Sequence, residues 1–139
     1  MGVRVRVRAR GCGSEVVTSA LVNTGYEVAE PEILLPRRLA EYLGLSLRAP
    51  AARAYTYETP MGYYRVLVVR EAVDVHLCDV CVRVEAVNAA VAEFEREVLL
   101  SDVLSDELGI QILSAGTGLW RHVNDTAGLE RRSAEPEYW

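Results

Sequence analysis

The sequence has 139 residues, half of them apolar, which suffices for one compact domain with a single core. Its formal net charge of −5 makes nucleic acid an unexpected partner, because nucleic-acid binders usually carry a basic excess. No apolar run approaches the roughly 20 residues of a membrane helix, and the N-terminus lacks the apolar stretch of a secretion signal, so we expect a cytoplasmic protein with no membrane partner.

The first third of the chain predicts two strands and a helix. Residues 3–9 and 15–22 have strand character, and the intervening "GCG" is typical of a turn. Pro36 suits a first helical turn, two leucines follow four positions apart, and Gly44 provides a stop. These signals predict a short helix at about 36–43.

Arginine is the only basic residue besides histidine, and four arginines occupy alternate positions of the first strand. This alternation places all four on one face of the strand: Arg4, Arg6, Arg8 and Arg10. We interpret that face as the solvated side of a half-buried strand, the alternative being a basic contact surface. The absence of lysine and the small number of amides favour a thermophilic source.

The middle of the chain predicts an aromatic hairpin and then a change of strand phase. "AYTYETPMGYYRVLVV" has tyrosines on two strand-like arms around a turn at residues 60–62. The valines after residue 73 change parity near Cys78–Asp79, which indicates a bulge or a tight turn there. Residues 86–95 fit a helix and a strand equally well.

The last third predicts a short helix followed by a charged tail. Ser101 can cap "SDVLSDELGI", whose apolar positions form a stripe, and Gly109 can end the helix. We expect one domain over residues 1–128 and a loosely held charged tail over residues 129–139.

The order of these segments resembles the retropepsin-like aspartic peptidases, including their single-domain prokaryotic members. The matching segments are a strand ending in "ALVNTG", "ILLP" followed by "RRLAEYLGL", the hairpin, and a late "VLLSDVLSDELGIQI", over about residues 15–113. The resemblance implies a mostly β fold, a closed β-barrel with one or two short helices. Because the triplet occurs once, it also implies a homodimer with its site on the two-fold axis.

The resemblance implies two groups of site residues. Asn23, Thr24 and Gly25 occupy the positions of the family's Asp-Thr-Gly triplet, one set per subunit. The hairpin would cover an extended substrate, with contacts from Tyr57, Pro60, Met61, Gly62 and Tyr63. Asparagine departs from the family pattern, since a carboxamide cannot replace one of two carboxylates that share a proton and activate water.

We therefore expect a homodimer that binds an extended peptide or protein and has no peptidase activity with Asn23 in place. One alternative is an active aspartic endopeptidase, either because aspartate is the natural residue or because a nearby carboxylate replaces it. Glu27, Glu30 and Glu32 are the candidates for such a replacement. A further alternative is a structural or interaction dimer without a peptide cleft. No cofactor is expected.

Three cysteines, an odd number without a secretion signal, predict reduced thiols. "HLCDVC" places His76, Cys78 and Cys81 close together, and Cys12 or His122 could complete a zinc site. Residues 78 and 81 would point to opposite faces of a regular strand, so sharing a metal would require a bend between them. We interpret the pair as one buried and one exposed thiol and expect no metal.

Overall fold

The computed structural model describes all 139 residues, of which half lie in strands and few in helices. The elements are β1 (Arg4–Arg10), β2 (Glu15–Val22), β3 (Glu32–Pro36), α1 (Arg37–Tyr42), β4 (Ala52–Thr59), β5 (Gly62–Leu77), β6 (Val82–Ala92), β7 (Val98–Leu100), α2 (Asp102–Glu107), β8 (Ile110–Ser114), β9 (Leu119–His122) and β10 (Arg131–Arg132).

Six strands form a closed barrel, in the order β1-β2-β7-β3-β6-β5 with β5 pairing back to β1. The long strand β5 has two roles, because its second half closes the barrel while its first half extends away with β4. Strand β4 pairs only with β5 and is therefore the free edge of the sheet. The prediction of a mostly β protein with a closed barrel and one or two short helices is confirmed, and the structure has two.

Strand β1 buries one face in the barrel, as its alternation predicts. Its apolar side chains Val5, Val7 and Ala9, and that of Val3 directly before the strand, are fully buried in the main core cluster. The arginines of the other face are exposed or half-buried, and two of them pair with carboxylates. Arg4 forms a bidentate pair with Glu97, and Arg6 pairs with Glu137.

Both helices lie where their flanking residues predict. Helix α1 follows Pro36, and Gly44 adopts the left-handed conformation (φ +78°) that glycine tolerates best. The Ser101 hydroxyl accepts a hydrogen bond from the Leu104 amide (3.2 Å) and so caps α2. At six residues each, these helices are far too short to cross a membrane, and the structure contains no others.

The ambiguous residues after position 86 continue strand β6 as far as Ala92. The predicted phase change is a tight turn at residues 78–81, between β5 and β6. A second irregularity, not predicted, interrupts the β5–β6 ladder near Glu71, whose φ is +50°. The buried Asn88 side chain accepts a hydrogen bond from the Glu71 amide (2.8 Å) and holds this bulge in place.

The charged tail packs on the barrel, contrary to the expectation that it is loosely held. After β10, which joins the small β8–β10 sheet, the Ala134 amide donates to the Arg4 carbonyl (2.8 Å). Glu137 contacts Arg6, and the Trp139 indole donates to the Thr18 hydroxyl (3.1 Å). The Glu137 carboxylate and the Trp139 indole thus bind the tail to β1 and β2.

Candidate functional site

The loop after β2 holds Asn23 in a hydrogen-bonded turn. The Gly25 amide donates to Asn23 Oδ1 (3.1 Å), and the Tyr26 amide donates to the Asn23 carbonyl (3.0 Å). The backbone of Asn23 is itself anchored to β7, because its amide donates to the Leu100 carbonyl (3.2 Å). An aspartate could accept the same bond from Gly25, so the turn is compatible with either residue.

The β4–β5 hairpin is the second element of the site. Its arms pair from Ala52–Val69 to Thr59–Gly62 and leave a two-residue turn, Pro60 and Met61. The Thr59 hydroxyl donates to the Gly62 carbonyl (2.9 Å) and accepts from the Met61 amide (3.2 Å), which fixes the turn. Because β4 is an edge strand, one side of its backbone has no partner strand in the chain.

A cleft of about 870 Å³ lies between this loop and the hairpin. Five of the eight triplet and hairpin residues that the resemblance assigns to the site line it: Asn23, Gly25, Tyr57, Pro60 and Met61. Three lie outside the lining: Thr24, Gly62 and Tyr63. Thr24 and Gly25 are exposed, and Tyr63 retains 74% of its exposure. The structure thus brings the triplet loop and the hairpin to one cavity.

Sequence reasoning missed several aromatic and acidic residues of the cleft. Tyr64, the cross-strand partner of Tyr57, contributes to the lining where Tyr63 was predicted. Phe94, in the loop after β6, is 73% exposed, and its ring lies 5.9 Å from that of Tyr64. The remaining unpredicted aromatic and acidic residues of the lining are Tyr26, Glu58 and Glu95, whereas Glu27 was a candidate for the replacement base. A tyrosine directly after the triplet was the clearest available signal.

Below the cleft, a buried carboxylate joins the loop to the hairpin. The hydroxyls of Tyr26 and Tyr57 both donate to the same oxygen, Glu32 Oε2, the second at 2.8 Å. Glu32 belongs to β3 and is 5% exposed. Tyr57 also lines a second, smaller cavity of about 210 Å³, together with Glu32 and Asn88. This network connects the β4 arm of the hairpin to the triplet loop.

Burial raises the pKa of Glu32, and the charge of Glu30 adds to the effect, while the hydrogen bonds from the two tyrosines act in the opposite direction. The same burial, together with the charge of Glu32, raises the pKa of both Tyr26 and Tyr57, so both remain hydroxyl donors. Of the two other candidates for a replacement base, Glu27 is exposed and Glu30 pairs with Arg70 (3.0 Å).

The structure contains no group of three or more His, Cys, Asp or Glu side chains arranged to hold a metal ion. Cys78 and Cys81 flank the tight turn after β5, where burial raises the pKa of the Cys78 thiol and Cys81 is exposed. His122 is buried, with Nε2 3.0 Å from the Leu108 carbonyl. All three cysteines are free thiols.

Comparison of the sequence with protein-family models and with curated proteins gives no match.

Proposed function

We propose that this protein is a retropepsin-like homodimer that binds an extended peptide between the Asn23 loop and the β4–β5 hairpin, without cleaving it. The observation that carries the proposal is the single cleft, about 870 Å³, lined by both the triplet loop and the hairpin. Further support comes from the closed barrel and from the order of its segments along the chain.

The cleft suits an extended peptide. The outer edge of β4 leaves backbone donors and acceptors unpaired, and residues 56–59 of this strand line the cleft. An extended chain can add to such an edge, with alternate side chains entering the cavity. Met61 and Phe94, at 85% and 73% exposure, supply apolar surface at the rim.

The absence of cleavage follows from the chemistry of Asn23. A carboxamide offers a donor and an acceptor but no basic oxygen near neutral pH. Its oxygen already accepts from Gly25 (3.1 Å), so the side chain supports the turn. Two such loops facing each other across a two-fold axis would keep the family's geometry and lose its shared proton.

The test is a peptidase assay of the protein beside Asn23→Asp, on a mixed peptide pool from acidic to neutral pH and at raised temperature. We expect cleavage by the Asn23→Asp variant alone, greatest at acidic pH, because two aspartates facing each other share one proton. The matched control is Asn124→Asp, which adds the same charge at an exposed position outside the cleft lining.

Sedimentation velocity on the same samples measures the oligomeric state. If the Asn23→Asp variant is a dimer but remains inactive, the peptidase relationship is contradicted and an interaction dimer is favoured. Cleavage by the unmodified protein would instead mean that another carboxylate supplies the base, and a monomer would contradict the two-fold site.

A further inference from the structure

The carboxylates of the cleft have no basic partner. Glu27, Glu58 and Glu95 line the cavity, and none of them forms an ion pair in the chain. The seven ion pairs of the protein all use other carboxylates: Glu30, Glu41, Glu85, Glu93, Glu97, Asp125 and Glu137. The chain has 15 arginines, yet none contributes to the lining of the cleft.

Most of the other lining residues are aromatic or aliphatic. Four rings contribute to it: Tyr26, Tyr57, Tyr64 and Phe94. Aromatic faces attract guanidinium and ammonium groups, and their apolar surface packs against the methylene stems of arginine and lysine. The combination of unpaired carboxylates with aromatic rings therefore suits a cation on an apolar stem better than an acidic or a purely apolar side chain.

Glu95 illustrates the charge imbalance. Its side chain is exposed but partly desolvated, which raises its pKa, and the charge of nearby Glu97 raises the pKa further. Glu97 is already neutralised by Arg4, whereas no cation of the chain approaches Glu95 closely enough to pair with it. A positive group entering the cleft would relieve this unfavourable environment.

We infer that the cleft selects extended peptide segments that carry arginine or lysine, whose cationic ends lie among Glu27, Glu58 and Glu95. The inference rests on the proposed function and names its ligand class. Charge complementarity is the reason for choosing this occupant: the cleft is acidic and lacks arginine, and the whole chain has a net charge of −5.

The test uses three fluorescein-labelled octapeptides of alternating valine and one second residue: arginine, its uncharged analogue citrulline, or glutamate. Binding is measured by fluorescence anisotropy. Because three exposed carboxylates each contribute a small amount, we expect the arginine peptide to bind about tenfold more tightly than the citrulline peptide at low salt. This preference should shrink between about 0.05 M and about 0.5 M salt.

The decisive variant combines Glu27→Gln, Glu58→Gln and Glu95→Gln. This variant should still bind the citrulline peptide, and it should bind the arginine peptide no more tightly than the citrulline peptide. The matched control removes three exposed, unpaired carboxylates outside the lining, with Glu15→Gln, Glu107→Gln and Glu130→Gln. Since its net charge changes by the same amount, the control should keep the full preference.

The outcomes separate this inference from the proposed function. If the citrulline and arginine peptides bind the unmodified protein with equal affinity, the inference is overturned, while the proposal that the cleft binds extended peptides stands. Failure of all three peptides overturns both. If the two triple variants lose the preference equally, the preference is a general effect of net charge. If only the cleft variant changes its sedimentation, a second copy of the chain contacts these carboxylates. Either result also overturns the inference.

Discussion

Two faces of the barrel differ in whether their charged side chains form ion pairs within the chain. On the face formed by β1 and β2, two arginines have partners within the chain, because Arg4 pairs with Glu97 and Arg6 pairs with Glu137 of the packed tail. In the cleft, by contrast, no lining carboxylate is paired and several apolar side chains are exposed. The Arg4 and Arg6 ion pairs are thus completed within one chain, whereas the cleft combines unpaired carboxylates with exposed apolar surface, as is typical of a binding site.

The difference predicts where a substitution will affect stability and where it will affect binding. Removing one member of a nearly buried ion pair leaves a desolvated charge without compensation, which lowers the free energy of unfolding. Removing an exposed side chain that has no partner in the chain changes little in the folded state.

The largest effect is expected for Arg4→Ala. The side chains of Arg4 and Glu97 are only 15% and 10% exposed, so the substitution strands a nearly buried carboxylate. We expect it to lower the free energy of unfolding by about 3 kcal/mol, measured by urea denaturation. Arg6→Ala is the matched control: its pair is 43% and 38% exposed, and the cost should stay below about 1 kcal/mol. Equal losses in the two variants would contradict the distinction.

Glu32→Leu should have the next largest effect. Leucine fills a similar volume but leaves the hydroxyls of Tyr26 and Tyr57 without their acceptor in a buried environment. We expect a loss of about 2 kcal/mol in the free energy of unfolding. A loss below about 0.5 kcal/mol would mean that both hydroxyls find other partners or water.

Glu32→Gln is the control for that variant. Both tyrosines donate to one oxygen, so the amide oxygen can accept both bonds while the buried charge is removed. Because the pKa of Glu32 is raised in the folded state, its carboxyl favours folding below the ordinary glutamate pKa, and this contribution is lost as the pH rises through the raised value. The Gln variant should therefore lose less stability than the unmodified protein between acidic and neutral pH.

The sequence predicted the elements well because their signals are local. Alternation defined β1, proline and glycine bounded α1, and Ser101 marked the start of α2. Each signal depends on residues within a few positions of the element it defines. Closure of the barrel between β1 and β5 joins residues about 70 positions apart, and it was expected only through the resemblance to a family.

The details of the cleft could not be predicted because they depend on register and on distant contacts. The expected turn at residues 60–62 is a two-residue turn, and Gly62 already belongs to β5. This register pairs Tyr57 with Tyr64. Because neighbouring residues of a strand point to opposite faces, Tyr64 and not Tyr63 lines the cleft. Nothing in "EPEILLP" distinguishes Glu32 from the other glutamates until Tyr57, 25 positions later, donates to it. The packed tail likewise depends on a contact between residues 131 positions apart.

The smallest effect on stability is expected for Phe94→Ser. The ring is 73% exposed and meets Tyr64 at 5.9 Å, so its removal should change the free energy of unfolding by less than about 0.5 kcal/mol. The same substitution should weaken binding of the arginine octapeptide several-fold, because an aromatic ring at the rim of a cleft contributes area and cation–π attraction to a bound peptide. The measurements are urea denaturation and fluorescence anisotropy on one preparation.

Tyr42→Ser provides the matched control for Phe94→Ser, since Tyr42 is an exposed aromatic residue (59%) at the end of α1 and outside the cleft lining. It should leave both stability and peptide binding nearly unchanged. If Phe94→Ser destabilises the fold by more than about 1 kcal/mol, then the ring is part of the structure and its exposure gives no argument for binding. If both variants weaken binding equally, the peptide contacts a wider surface than the cleft, and the contrast between the two faces of the barrel loses its functional meaning.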